Sequence, residues 1–183
     1  MEKILITGTG RCGTTFLIKI FSFLEFNTGY NRNNYINCIY SNCNSGMERS
    51  YKENYYIIKN PTFISDIKDI LEDTSVKIKT IIIPIRDYKS SAISRVGHGP
   101  NNAGGLWNAV DEQSQIQYYK DIITNYLYFM TKYEINTIFI DFDKMISDKQ
   151  YLFNKIKSIL DEKNIEFDVF CSVYDEVSLT SKK

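Results

Sequence analysis

Eight residues near the amino terminus, Gly8-Thr9-Gly10-Arg11-Cys12-Gly13-Thr14-Thr15, combine backbone freedom, hydroxyl donors and one guanidinium. In a glycine loop that leads into a helix, successive backbone N–H groups point into one concavity, and the unsatisfied N–H groups of the first helical turn add positive potential. The natural guest is an oxyanion. The spacing of Gly8 and Gly13 matches the phosphate-loop pattern G-x-x-x-x-G-K-[ST], yet Thr14 stands where that pattern has lysine. The cation sits instead at Arg11, whose fork can engage two oxygens of a terminal phosphate or sulfate. Gly10, Arg11, Cys12, Gly13, Thr14 and Thr15 are therefore the candidate anion-binding residues. The alternative is a plain strand-to-helix turn, with glycines for geometry and threonines capping the helix.

A second constellation is Arg86-Asp87-Tyr88-Lys89-Ser90-Ser91-Ala92-Ile93-Ser94. Arg86 closes an apolar run, and Ser94 follows two helical turns later, so both can face one pocket. A guanidinium with a hydroxyl suits a second phosphate, which suggests a nucleotide with two separated anionic ends. Asp87 is placed to cap the helix that follows.

These residues need strands and helices to bring them together. Apolar runs rich in β-branched residues at Lys3 to Thr7, Tyr55 to Ile58, Ile78 to Ile85 and Asn136 to Phe142 predict four buried strands. Helical patterns fall between and after them, at Thr14 to Glu25, Thr62 to Leu71, Tyr88 to Arg95, Glu112 to Tyr133 and Asp148 to Leu160, the last of the series. The alternation predicts an α/β fold, a three-layer α/β/α arrangement with a central, mainly parallel sheet, in which ligands bind beyond the carboxyl ends of the strands. Asn27 to Asn54 and Gly97 to Asn108 have weak periodicity and read as long surface excursions. Both are flanked by elements of the same sheet, so one domain spanning residues 1–183 is expected.

Composition narrows the partners. The 22 acidic residues balance 22 basic ones, so no overall field favours nucleic acid or an anionic membrane, and any anion site must be local. Cys12, Cys38, Cys43 and Cys171 lack metal-ligand spacing and His98 is the only histidine, which argues against a zinc centre and for free thiols. No apolar run approaches the length of a membrane span and no secretory h-region precedes the first strand, so a cytoplasmic location is expected. Tyr118, Tyr119, Tyr126, Tyr128, Phe129 and Tyr133 have the helical spacing of core packing. Trp107 reads as a core anchor, with stacking on a base as the alternative.

At two places the sequence resembles the sulfotransferase superfamily, whose fold is related to the P-loop nucleoside triphosphate hydrolases and whose donor is 3′-phosphoadenosine 5′-phosphosulfate. Gly8 to Thr15 is similar to the family's 5′-phosphosulfate loop, with Cys12 where serine is usual, and Arg86 with Ser94 is similar to its 3′-phosphate pair. Lys59-Asn60-Pro61 resembles a common K-x-P element, and Ile140-Asp141-Phe142-Asp143-Lys144-Met145 resembles a further strand-to-helix region. The landmarks keep the family's order from about residue 4 to about residue 160.

The resemblance implies transfer of a sulfuryl group, without a metal, to a hydroxyl or amine of a small-molecule or glycan-like acceptor. Arg11 and the N–H groups of Gly13, Thr14 and Thr15 would serve the 5′-phosphate, and Lys59 would contact the sulfuryl group. Family members use a histidine or a glutamate as general base. His98 is the candidate, with an exposed loop histidine as the other reading, because Gly29 to Asn33, where the glutamate would fall, holds no acid. A P-loop kinase, or a nucleotide-binding protein without catalysis, are the rival functions.

Overall fold

Ile4, Leu5 and Ile6 are wholly shielded from solvent, as expected of a strand with neighbours on both edges and helices on both faces. In the computed structural model, which describes residues 2–40, 43, 45–99 and 102–181, the strands are β1 (Glu2–Ile6), β2 (Ile39–Tyr40), β3 (Ser45–Gly46), β4 (Ile57–Lys59), β5 (Lys77–Ile85) and β6 (Thr137–Asp141). Four form one sheet in the order β4-β1-β5-β6, with every neighbouring pair parallel. The helices are α1 (Thr14–Phe23), α2 (Ile67–Glu72), α3 (Tyr88–Val96), α4 (Glu112–Tyr133), α5 (Phe142–Ser147), α6 (Lys149–Leu160) and α7 (Phe167–Ser181).

The two-residue period of the strands divides the apolar side chains between two cores. Ile4, Ile6, Ile57, Ile82 and Ile140 pack with residues of α1, α5, α6 and α7. Leu5, Ile58, Ile81 and Ile83 pack with residues of α2, α3 and α4. Helices thus cover both faces of the sheet. Asp87 and Asp111 accept hydrogen bonds at the starts of α3 and α4, and Asp111 with Ser114 closes a capping box. Tyr119, Tyr126 and Phe129 lie in the core as their spacing predicts, whereas Tyr128 on the opposite face of α4 is exposed.

Several expectations need correction. The helix predicted over Thr62 to Leu71 is divided into a 3-10 turn, Pro61–Ile64, and the short α2, because Asn60 caps the turn and Pro61 sets its first dihedral angle. The helical series continues past Leu160: α7 buries Phe170, Val173, Tyr174 and Val177, an i, i+3, i+4, i+7 stripe. Within the Asn27 to Asn54 excursion, β2 and β3 make a small antiparallel hairpin. Ser41, Asn42 and Asn44 of that excursion, Pro100 and Asn101 of the second, and Lys182 and Lys183 lie outside the described residues. Among the described residues no helix is long and apolar enough to cross a membrane.

Candidate anion-binding site

Because β1, β4, β5 and β6 are parallel, the segments that follow them open on one edge of the sheet. The glycine loop after β1, Lys59 and Pro61 at the end of β4, Arg86 after β5 and Phe142 after β6 all line one cavity of about 770 Å³ there. The two irregular excursions complete its wall: Tyr40, Cys43, Ser45 and Glu48 come from the first, His98, Ala103 and Gly104 from the second. They approach each other closely, since a Cβ on Gly104 would lie 3.1 Å from Cys43 Cβ and 3.2 Å from Arg11 Nη1.

Gly10, Arg11 and Gly13 have φ values of 77°, 56° and 86°, the left-handed backbone that turns the loop into α1. Gly13 is the residue before the helix and no side chain caps it, so the first N–H groups of α1 have no intrahelical partner. Thr14 and Thr15 line the cavity at that terminus, and no hydrogen bond joins either side chain to another described residue. A Cβ on Gly10 would lie 1.9 Å from Arg95 Nη2, so glycine is what admits a guanidinium against the loop.

Three arginines converge here. Arg86 Nη1 donates to the carbonyl of Arg11 at 3.0 Å, and its guanidinium lies 4.7 Å from the Phe142 ring centre. Arg11 Nε donates to Ser94 Oγ at 3.1 Å and Nη1 to the Cys43 carbonyl at 2.7 Å. Arg95 donates to the carbonyls of Gly105 and Thr9 and lies over Trp107, 5.2 Å from its centre. Trp107 is in turn fixed by Gln115, which exchanges two hydrogen bonds with its backbone. None of the three guanidiniums is ion-paired among the described residues. Burial, with repulsion from Arg95 and Arg86, works against the charge on Arg11.

Lys59 is also enclosed, its side chain wholly buried at the end of β4, where it donates to the Gly46 carbonyl at 2.9 Å and to the Glu48 carboxylate. Burial pushes the ammonium below its ordinary pKa and Glu48 opposes that push. Glu48 is the one carboxylate among the described residues lining the cavity, against Arg11, Lys19, Lys59, Arg86 and Arg95. In a chain with no net charge, that is a strong local excess of positive charge. The His98 imidazole lies at the same cavity, and partial burial followed by the charges of Arg11 and Arg95 holds it below its ordinary value. It is therefore neutral at pH 7.

Of the residues singled out by sequence, Gly10, Arg11, Gly13, Thr14, Thr15, Lys59, Arg86 and His98 share the cavity. Ser94 is not among its lining residues, and Arg11 links it to Arg86 by holding both. Cys12 is not among the lining residues: it is wholly buried, and burial pushes its thiol up. Sequence reasoning missed Glu48, Lys19 and Arg95. Lys19 had a visible signal, a lone cation within the apolar run Thr14–Phe23. Arg95 and Glu48 had none, since each lies among polar residues whose burial depends on contacts remote in sequence. No family profile, no curated protein and no solved structure matches the chain.

Proposed function

We propose that this protein is a sulfotransferase-like enzyme of the P-loop kind, moving a sulfuryl group from 3′-phosphoadenosine 5′-phosphosulfate to an acceptor hydroxyl or amine. The observation that carries this reading is the convergence of Arg11, Arg86 and Arg95 on a glycine loop, with no ion pair among the described residues. Arg95 is buried and Arg11 and Arg86 are half-buried; guanidiniums withdrawn from water without counter-ions are costly, and a ligand with two anionic groups offsets that cost. The donor set suits phosphate and sulfate oxygens: forked guanidiniums, free helix N–H groups and hydroxyls. A magnesium triphosphate fits less well, because the loop lacks the lysine and Glu48 is already engaged by Lys59.

When bound, the donor supplies an activated sulfur: the acceptor oxygen bonds to it as the bond to the 5′-phosphate breaks and the electron pair leaves with that phosphate. Arg11 and the N–H groups of Gly13, Thr14 and Thr15 hold the 5′-phosphate and stabilise the charge it gains. Arg86 holds the 3′-phosphate and so fixes the donor's orientation at a distance from the reacting atom. Glu48 takes the acceptor's proton, and as its charge is quenched the Lys59 ammonium is released to the sulfuryl oxygens. His98, neutral at pH 7, is the second group able to accept that proton.

Isothermal titration with adenosine 3′,5′-bisphosphate, without metal, tests the reading. Micromolar or tighter binding is expected, weakened when Arg11 or Arg86 is replaced by alanine. Preference for ATP with magnesium would overturn it in favour of a kinase, and binding of neither nucleotide would leave a protein of this fold without the activity.

A further inference from the structure

Two lysines are buried in the cavity wall, and only one has an anion. Lys59 is joined to Glu48; Lys19, 4% exposed, has no carboxylate within ion-pair distance and no hydrogen bond among the described residues. It belongs to α1, which is buried along its whole length, and burial lowers its pKa. A charged group in such a place is unfavourable by itself. It is explained if an anion arrives from outside the chain.

The position of Lys19 separates that anion from the donor. Lys19 lies four residues beyond Thr15, about 6 Å further along the α1 axis from the loop. A helical lysine ordinarily leans back towards the amino terminus, which here would carry it to the phosphate loop. Instead its ammonium lies 5.2 Å from the centre of the Tyr35 ring. Tyr35 packs edge-on against Phe23, a turn beyond Lys19, with ring centres 5.1 Å apart. The ammonium is thus drawn towards Tyr35 and away from the loop, and Lys19 shares the cavity wall with Tyr40 and Glu48 of the first excursion. Those two residues also line an adjoining hollow of about 260 Å³, which gives this end room for a second molecule.

We propose that Lys19 is the anion-recognition residue of the acceptor subsite, and that the acceptor is a hydroxy acid or amino acid derivative carrying an oxyanion (carboxylate, sulfate or phosphate) beside its nucleophile. The acidic group pairs with the Lys19 ammonium, which the Tyr35 ring faces from outside the cavity lining, while the nucleophilic end reaches Glu48. The assignment rests on the sulfuryl-transfer reading for the name acceptor, but the subsite itself does not. Titration of the full chain with matched acid and amide pairs, 4-hydroxyphenylacetate against 4-hydroxyphenylacetamide and glycolate against glycolamide, separates the two claims. At least one acid should bind about tenfold more tightly than its amide, and Lys19→Met should abolish the difference. Met keeps most of the stem and removes an unpaired buried charge, so the variant should fold with an equal or higher Tm. Equal affinity for acids and amides, no binding of any acid, or discrimination that persists in Lys19→Met would overturn the proposal. Loss of bisphosphate affinity in Lys19→Met would assign the ammonium to the donor and overturn it too. If the acids bind as expected and the bisphosphate does not, the subsite stands and the sulfuryl-transfer reading fails.

Discussion

Replacing Glu48 by glutamine leaves the Lys59 ammonium buried with one carbonyl, Gly46, and no counter-ion. Removing one partner of a buried pair costs about 3–5 kcal/mol where both partners are enclosed. Here the Lys59 side chain has no exposure and that of Glu48 has 30%, and glutamine can still accept a hydrogen bond. The expected loss is therefore about 2–3 kcal/mol, below the cost for a fully enclosed pair. Urea unfolding at pH 7 reads it directly. The pH dependence has a definite sign. Burial already lowers the pKa of Lys59, and losing Glu48 lowers it further, so above the folded pKa the unfolded chain binds a proton that the native variant does not. The deficit of Glu48→Gln relative to the parent should shrink as pH rises towards about 10.5. Glu48→Gln with Lys59→Met should regain most of the stability and none of the activity, which separates support of the fold from chemistry. A loss under about 0.5 kcal/mol, or no recovery in the double variant, would refute the claim that Lys59 depends on Glu48.

Arg86→Ala should weaken adenosine 3′,5′-bisphosphate binding by about 1.5–3 kcal/mol, the worth of a charge-assisted contact, and unchanged affinity in a titration would reject its place at the 3′-phosphate. Arg95→Ala deprives the Thr9 and Gly105 carbonyls of their donor and Trp107 of its cation, so unfolding in urea should show a loss of about 2–4 kcal/mol; a parental midpoint would deny that Arg95 fastens the second excursion to the loop. In a transfer assay Glu48→Gln should cost at least about 100-fold in turnover and His98→Gln less than about tenfold, and the reverse ranking would move the base to His98. Since His98 gains charge only below its depressed pKa, the ratio of parental to His98→Gln affinity for the bisphosphate should grow as pH falls from about 7 to about 5; a constant ratio would place His98 away from the ligand.

The parallel sheet and the glycine loop were legible because each is written locally: β-branched runs for the strands, and glycines at positions whose backbone is left-handed. The long α4 followed from its period and its Asp111 cap. The small elements were not legible, since two-residue strands such as β2 and β3 span one strand period and the six-residue α5 less than two helical turns, too little for a repeat to show. The stripe of α7 was there to be read. The site divides in the same way. Arg11 in the loop after β1 and Arg86 directly after β5 declared themselves by spacing, whereas Glu48 reaches Lys59 only through the folding of an irregular excursion. Likewise Cys12, inside the motif, turns into the core because the left-handed residues on either side reverse the chain there. Motif position predicted its neighbourhood and not its direction.

The most direct test is a crystal structure with adenosine 3′,5′-bisphosphate bound. The 5′-phosphate should lie against Arg11 and the N–H groups of Gly13, Thr14 and Thr15, and the 3′-phosphate within hydrogen-bond reach of Arg86. Phosphates outside this cavity, or a bisphosphate reversed so that its 3′-phosphate occupies the glycine loop, would contradict the account.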